Sequence, residues 1–141
     1  MTVLVSGGFD PLHIGHIHYL ESAGEYGYVV VALNSDPWLM RKKGYVFMPW
    51  KDRAFLLGKY PFVSKVISFN DDDGTVCDAL EKIEPDYFAN GGDRIEPNPK
   101  EHNTCVRLGI RELFNIGGEK IRSSSELTKS AYDYYKNSLQ N

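Results

Sequence analysis

The sequence predicts an α/β fold, a doubly wound sheet of about five parallel strands with helices on both faces. Short apolar runs alternate along the chain with segments of helical periodicity. The first three elements form a strand–helix–strand unit, which is right-handed and parallel in nearly all known folds. Such a sheet binds ligands beyond the carboxyl ends of its strands, where the strand order reverses, so we expect the functional site there.

The first unit begins with the apolar run 3–5, which leads into two glycines where the backbone can turn tightly. Residues 14–25 have an approximately helical apolar face, and Gly27 ends this segment. The continuous apolar run 29–33 is typical of a strand that is covered on both faces. Residues 34–49 are interpreted as a long connection that holds a cluster of basic residues.

The remaining segments continue the alternation of helices and strands. They are a helix over 50–60, a strand over 65–69, a helix over 75–83, a strand over 87–89, a helix over 103–108, a strand over 110–114 and a closing helix over 123–139. In the helix over 50–60 we expect Ala54, Leu56 and Leu57 to face inward. The run Asp71-Asp72-Asp73 is interpreted as a solvated loop rather than a metal site.

Composition narrows the class of protein. The 141 residues are 42% hydrophobic and 25% charged, which fits one globular domain over 1–141. A net charge of -3 argues against a protein that binds nucleic acid through general basicity. No apolar run is long enough to span a membrane, and the chain begins without a charged leader, so we expect a cytoplasmic protein. The cysteines Cys77 and Cys105 are interpreted as buried free thiols.

The most specific motif is the segment 7–16, Gly-Gly-Phe-Asp-Pro-Leu-His-Ile-Gly-His, between the first strand and the first helix. Its glycines let a ligand approach the backbone, and free amides at a helix start favour an anion such as a polyphosphate. His13 and His16 lie three residues apart and should point to one side, so both could donate to the same oxyanion. A lone histidine would usually be structural, and we interpret His18 and His102 in that way.

Three later segments could also contact an anionic ligand. The basic run 41–43 precedes a glycine, although a solvated basic turn is the alternative. The segment 90–93, Asn-Gly-Gly-Asp, follows a predicted strand and could approach a ribose or base, or could form a simple tight turn. Ser123 and Glu126 have capping-box spacing, so a helix that begins there would provide a second anion site.

These motifs resemble those of the HxGH nucleotidyltransferases, which include the glycerol-3-phosphate cytidylyltransferases and the adenylyltransferase domain of ADP-heptose synthase. The resemblance runs from Val3 to about Leu127. It implies a Rossmann-like fold and transfer of a nucleoside monophosphate from CTP or ATP to glycerol phosphate or a sugar phosphate, with release of pyrophosphate. It also implies Mg²⁺ that protein side chains do not hold tightly, no metal-ligating residues, and a homodimer. From the net charge and the lack of a long apolar run, we expect neither a nucleic-acid nor a membrane partner.

The resemblance assigns roles residue by residue. The catalytic residues would be His13, His16, Lys43 and Arg122. The nucleotide-binding residues would be Gly7, Gly8, Phe9, Asp10, Gly15, Asp93, Ser123 and Ser124. The acceptor-binding residues would be Asp36 and Arg53, although a plain ion pair of Arg53 with Asp52 or another acidic residue is an alternative.

The sequence departs from the family pattern near its end. Arg122 follows Ile121, where the family usually has serine or threonine, and Gly117 occupies the place of an arginine typical of the cytidylyltransferases. Arg122 or Lys120 would then supply the positive charge.

The sequence leaves two questions open, the identity of the nucleotide and whether the protein is catalytically active. The residues do not separate ATP from CTP, because the basic loop and the Gly-Gly-Asp element resemble the heptose adenylyltransferases while the short length resembles the cytidylyltransferases. A catalytically inactive nucleotide-binding or sensor module of the same fold is the alternative function.

Overall fold

A computed structural model describes residues 1–92, 94–118 and 123–140 of the chain. Five strands alternate with helices in these residues. The strands are β1 (Thr2–Gly7), β2 (Tyr28–Leu33), β3 (Val63–Ile67), β4 (Tyr87–Gly91) and β5 (Arg111–Ile116). The helices are α1 (Ile14–Gly24), α2 (Asp36–Lys43), α3 (Trp50–Gly58), α4 (Cys77–Ile83), α5 (Pro99–Leu108) and α6 (Ser124–Gln140).

The strands form one parallel sheet in the order β3-β2-β1-β4-β5. The chain builds outward from β1 through β2 to β3, and then returns to the other side of β1 for β4 and β5. The strand order therefore reverses between β1 and β4, as in a Rossmann-like sheet. This confirms the predicted α/β fold and its five parallel strands.

Hydrophobic cores lie on both faces of the sheet, because successive side chains of a strand point in opposite directions. Val3 and Val5 pack on one face with buried residues of α1 and α3. Leu4, between them, packs on the other face with buried residues of α4 and α5. Each of these three side chains is fully buried and contributes about 1.5 to 3 kcal/mol by leaving water. The predicted covering of both faces is confirmed.

The interpretation of residues 34–49 as a connection was wrong, since α2 occupies half of it. The Ser35 hydroxyl accepts from the Trp38 N–H and caps the helix start, and Gly44 ends the helix in a left-handed conformation. Leu39 is the only buried residue of α2. The helix thus depends on its caps rather than on an apolar stripe, and the hydrophobic pattern did not indicate it.

Two smaller predictions also needed correction. Asp71 is buried rather than solvated, and its carboxylate accepts hydrogen bonds from the side chains of Asn34 and Ser35. Leu56 is 41% exposed, whereas Leu57 is fully buried as predicted.

The cysteines are free thiols, as predicted, although only one is fully buried. Cys105 lies in the core, and burial raises the pKa of its thiol to about 12, so it stays protonated near neutral pH. Cys77 is half-buried. Among the described residues, none of the helices combines the length and apolarity that crossing a bilayer requires.

Candidate active site at the carboxyl edge of the sheet

A pocket of about 260 Å³ opens at the carboxyl edge of the sheet, beside the place where the strand order reverses. Residues at or just beyond the ends of four strands line it, namely Ser6 and Gly7 at β1, Asn34 after β2, Phe69 after β3, and Asn90 and Gly91 at β4. Chains that fold in this way place their ligands at this position. The pocket is therefore the candidate ligand site.

The two histidines of the segment 7–16 lie together at the start of α1. His13 is the N-cap, and its Nδ1 accepts the Gly15 N–H at 3.1 Å. Nδ1 of His16 accepts the His13 N–H at 3.2 Å, so the two side chains complete a reciprocal capping box. The rings stack with their centroids 3.8 Å apart. The structure thus brings together the pair that the spacing predicted to face one side.

The capping bonds also fix the tautomer of both rings. A nitrogen that accepts a hydrogen bond carries no proton, so the ring proton of neutral His13 and of neutral His16 is on Nε2. Each ring is therefore oriented to donate through Nε2. This geometry suits two donors to one phosphate group.

The turn before these histidines packs against α2. Phe9 adopts a left-handed backbone with φ of 50°, and its buried ring lies 4.7 Å from the His16 ring between centroids. A Cβ on Gly8 would lie 2.8 Å from Cδ2 of Leu39. A glycine at position 8 therefore lets α2 approach the turn. Contact of the nucleotide with Gly7, Gly8 or Gly15 stays a prediction.

Asp10 is fully buried and holds the segment that follows α2. Its two carboxylate oxygens accept the N–H groups of Phe47 and Met48 at 2.7 and 2.6 Å. Nζ of Lys43 donates to the backbone carbonyl of Asp10 at 3.0 Å. The structure therefore brings Lys43 beside the histidine segment, as the prediction requires. Direct contact of Asp10 with a nucleotide stays a prediction.

Arg53 is 1% exposed and joins four parts of the site. Its guanidinium donates to the carbonyl oxygens of Gly8, Asn34 and Met48, each at 2.8 Å. Its Nη2 also donates to Oδ1 of Asp36 at 2.6 Å. The two predicted acceptor-binding residues thus pair with each other, so the ion pair of the alternative forms with Asp36 rather than with Asp52. Their contact with an acceptor stays a prediction.

The start of α6 lies beside the histidine segment. The Ser124 hydroxyl donates to the carbonyl oxygen of Pro11 at 2.8 Å, and Ser123 Oγ accepts the Glu126 N–H at 3.0 Å. The capping bond is the one that the spacing predicted. Asp93 and Arg122, to which we assigned nucleotide binding and catalysis, lie outside the described residues.

Substitution of Ser123 by alanine should lower the free energy of unfolding by about 1 kcal/mol, because the Glu126 N–H at the start of α6 loses its acceptor. Urea unfolding measures this change. The matched control is Ser125→Ala, because Ser125 is an exposed residue of the same helix turn. Equal stabilities of the two variants would contradict the capping role of Ser123.

The sequence analysis missed several residues that line the pocket. Tyr19 follows His16 by three residues on α1, so helical spacing could have indicated it. Its hydroxyl donates to the Ala89 carbonyl, and burial raises the pKa of Tyr19. Arg94 and Glu101 also line the pocket and form an ion pair with an N–O distance of 2.9 Å. No periodicity or motif marked that pair, because the ion pair forms only in the folded chain.

Comparisons with known proteins give a consistent result. The family model for cytidylyltransferase-like proteins matches residues 4–129. A protein named bifunctional protein HldE from Nitratiruptor sp. is 39% identical over 94 residues, which cover 64% of this chain and 20% of that protein. The chain therefore spans about a fifth of the length of such HldE relatives.

This chain covers most of the length of two further proteins, one found by sequence and one by structure. An FAD synthase from Thermococcus kodakarensis is 38% identical over 120 residues, which cover 82% of this chain and 79% of that protein. The crystal structure of a lipopolysaccharide core biosynthesis protein from Thermoplasma volcanium superposes with a TM-score of 0.67 and 26% sequence identity. That alignment covers 81% of this chain and 93% of the other.

Proposed function

Since the chain belongs to the cytidylyltransferase-like family, we propose that it transfers a nucleoside monophosphate from CTP or ATP to a phosphorylated small molecule. This membership also confirms the resemblance drawn from the sequence motifs. The proposal rests on the stacked pair His13 and His16. Nδ1 of each ring accepts a backbone N–H, so each ring is oriented to donate a hydrogen bond to a ligand through Nε2. The pair begins the helix that follows β1, beside the pocket at the sheet edge.

The reaction would be an in-line displacement at the α-phosphorus of the nucleotide. An oxygen of the acceptor phosphate forms a bond to that phosphorus, and the bond to the oxygen that bridges the α- and β-phosphates breaks. Pyrophosphate leaves with the electron pair of the broken bond. No side-chain nucleophile is required, so the protein would act by positioning the reactants and stabilising charge.

His13, His16 and Lys43 would stabilise the charge that develops on the phosphate oxygens. The histidine rings are already held by backbone N–H groups, so they would need little reorganisation during the reaction. Lys43 lies at the end of α2, and its contact with the Asp10 carbonyl keeps it beside the same segment. We also retain Arg122 as a proposed second positive group at the other end of the triphosphate.

Mg²⁺ would enter as part of the nucleotide substrate, bound to oxygens of the triphosphate. In residues 1–92, 94–118 and 123–140, no cluster of three or more histidine, cysteine, aspartate or glutamate side chains could hold a metal ion. The roles proposed for the protein side chains do not depend on this ion.

Glycerol phosphate or a sugar phosphate is the proposed acceptor. At about 260 Å³, the pocket lies below the range of about 300 to 1,000 Å³ in which proteins bind drug-sized ligands. Asn34, Thr75 and Asn90 contribute polar atoms to its walls, as recognition of a polyhydroxylated molecule requires.

Pyrophosphate release tests the proposal directly. ATP and CTP are each combined with glycerol 3-phosphate, several sugar phosphates, phosphocholine and FMN. We expect release with one nucleotide and with a glycerol or sugar phosphate, and only when the acceptor is present. Nucleotide binding without release in any combination would instead identify a binding module. Light scattering on the same preparation tests the proposed homodimer.

Substitution of Lys43 by alanine should lower both the rate and the nucleotide affinity, with the larger effect on the rate, because charge develops during transfer. Steady-state kinetics of pyrophosphate release give kcat and the KM for the nucleotide. The control is Lys51→Ala, which removes an exposed lysine from α3. If both parameters are unchanged in Lys43→Ala, the catalytic assignment of Lys43 is wrong, and Lys42 and Arg41 are the next residues to substitute.

A further inference from the structure

Arg94 extends from the segment after β4 into the pocket at the sheet edge. Its side chain is 45% exposed, so a ligand can reach it. Its Nη1 donates to Oδ1 of Asn90 at 3.2 Å and to Oε1 of Glu101 at 2.9 Å. In the described parts of the chain, Nε and Nη2 of Arg94 make no hydrogen bond. The guanidinium is thus anchored through Nη1, and Nε and Nη2 remain as donors for a ligand.

Glu101 fixes the position of this guanidinium. It is 5% exposed, and its other carboxylate oxygen, Oε2, accepts the Val76 N–H at 3.1 Å. The carboxylate is therefore held between the start of α4 and Arg94. A planar guanidinium that is held in this way loses little freedom when it binds a second oxyanion, which is the reason that such sites favour arginine over lysine.

The charges around the pocket favour an anionic ligand. Among the described residues that line it, the charged ones are Lys42, Arg94 and Glu101, which leaves one net positive charge. Lys42 comes from α2, and its Nζ lies 5.7 Å from the centroid of the Trp38 ring. The two cations thus come from different elements and face one cavity. A fixed arginine fork binds a phosphate or a carboxylate with two parallel hydrogen bonds, and the proposed acceptor carries a phosphate.

The pocket also lies close to the proposed catalytic pair. Tyr19 lines the pocket and stands three residues after His16 on α1. Residues at this spacing lie on one helix face, with Cβ atoms about 5 to 6 Å apart. Tyr19 in the pocket wall and His16 therefore lie on the same face of α1.

We propose that Arg94 binds the phosphate group of the acceptor and is a specificity-determining residue of this protein. This inference rests on the proposed nucleotidyltransferase function and deepens it, because it assigns an acceptor contact that the motifs do not include. Arg94, anchored by Glu101 and Asn90, selects phosphorylated acceptors over their unphosphorylated counterparts. Arg53, which the resemblance also assigned to the acceptor, donates to three backbone carbonyls around the site.

The kinetic test compares Arg94→Ala with the wild-type protein, using the acceptor that supports pyrophosphate release. We expect the acceptor KM to rise by about tenfold to a hundredfold, because a charge-assisted contact is lost, and the nucleotide KM to stay within about twofold. Arg94→Lys retains a cation beside the buried Glu101, and should show a smaller rise in acceptor KM. The matched control is Arg107→Ala, which removes an exposed arginine of α5 that pairs with Glu81.

A binding measurement makes the test independent of turnover. The Nε–Hε NMR signal of Arg94, identified by its absence in Arg94→Lys, is followed while inorganic phosphate is added at constant ionic strength. We expect a saturable shift with phosphate and none with chloride. An unchanged acceptor KM in Arg94→Ala, a rise only in nucleotide KM, or no shift with phosphate would overturn the inference. A wild-type protein that releases no pyrophosphate but shows the shift would overturn the proposed function instead.

Discussion

Replacing His16 with alanine should lower turnover by about two to four orders of magnitude while the chain still folds. The substitution removes an imidazole that the His13 N–H holds in place, and with it a preorganised donor to transition-state charge. Pyrophosphate release at saturating nucleotide and acceptor measures the loss. Circular dichroism and thermal unfolding establish that the variant is folded.

Two further variants separate catalysis from helix capping. His16→Asn retains an acceptor for the His13 N–H but places no donor at the position of Nε2, so we expect it to be as slow as His16→Ala and more stable. His18→Ala removes an exposed histidine from the next part of the same helix, and should leave kcat unchanged. A folded His16→Ala protein with near-normal kcat would remove this residue from the mechanism.

Substitution of Arg53 by methionine should lower the free energy of unfolding by about 3 to 5 kcal/mol, because it removes a buried charge whose partners remain. Asp36 would lose its ion pair, and the carbonyls of Gly8, Asn34 and Met48 would lose their donor. Urea unfolding measures the change. Since those carbonyls belong to the segments around the site, we also expect activity to fall.

Arg41→Met is the matched control for this substitution. The side chain of Arg41 is 48% exposed, and it donates to the carbonyl of Asp71 at 2.9 Å. Water can replace that contact, so the expected loss is below about 1 kcal/mol. Similar losses for Arg53→Met and Arg41→Met would show that the buried arginine is not the main support of the site.

The fold could largely be predicted because its strands are buried on both faces. Such strands appear in sequence as continuous apolar runs, and the run 29–33 lies wholly within β2. Helix α2 could not be predicted in this way, because only Leu39 is buried and the helix depends on Ser35 and Gly44 at its ends. Stabilisation by caps leaves no periodic signal.

The site was predictable where its geometry is local. His13 and His16 are neighbours on one helix turn, so their spacing alone indicated that their rings would face one side. The partners of Arg53 and Arg94 come from segments that meet only in the folded chain, and a single sequence does not show which carbonyl or carboxylate an arginine will contact.

Transfer of isotopic label tests the central claim most directly. The protein is incubated with an acceptor phosphate and the active nucleotide, labelled with ³²P at either the α- or the γ-phosphate. We expect label from the α-phosphate in the acceptor product and label from the γ-phosphate only in pyrophosphate. Appearance of γ-label on the acceptor, or its release as orthophosphate, would contradict nucleotidyl transfer.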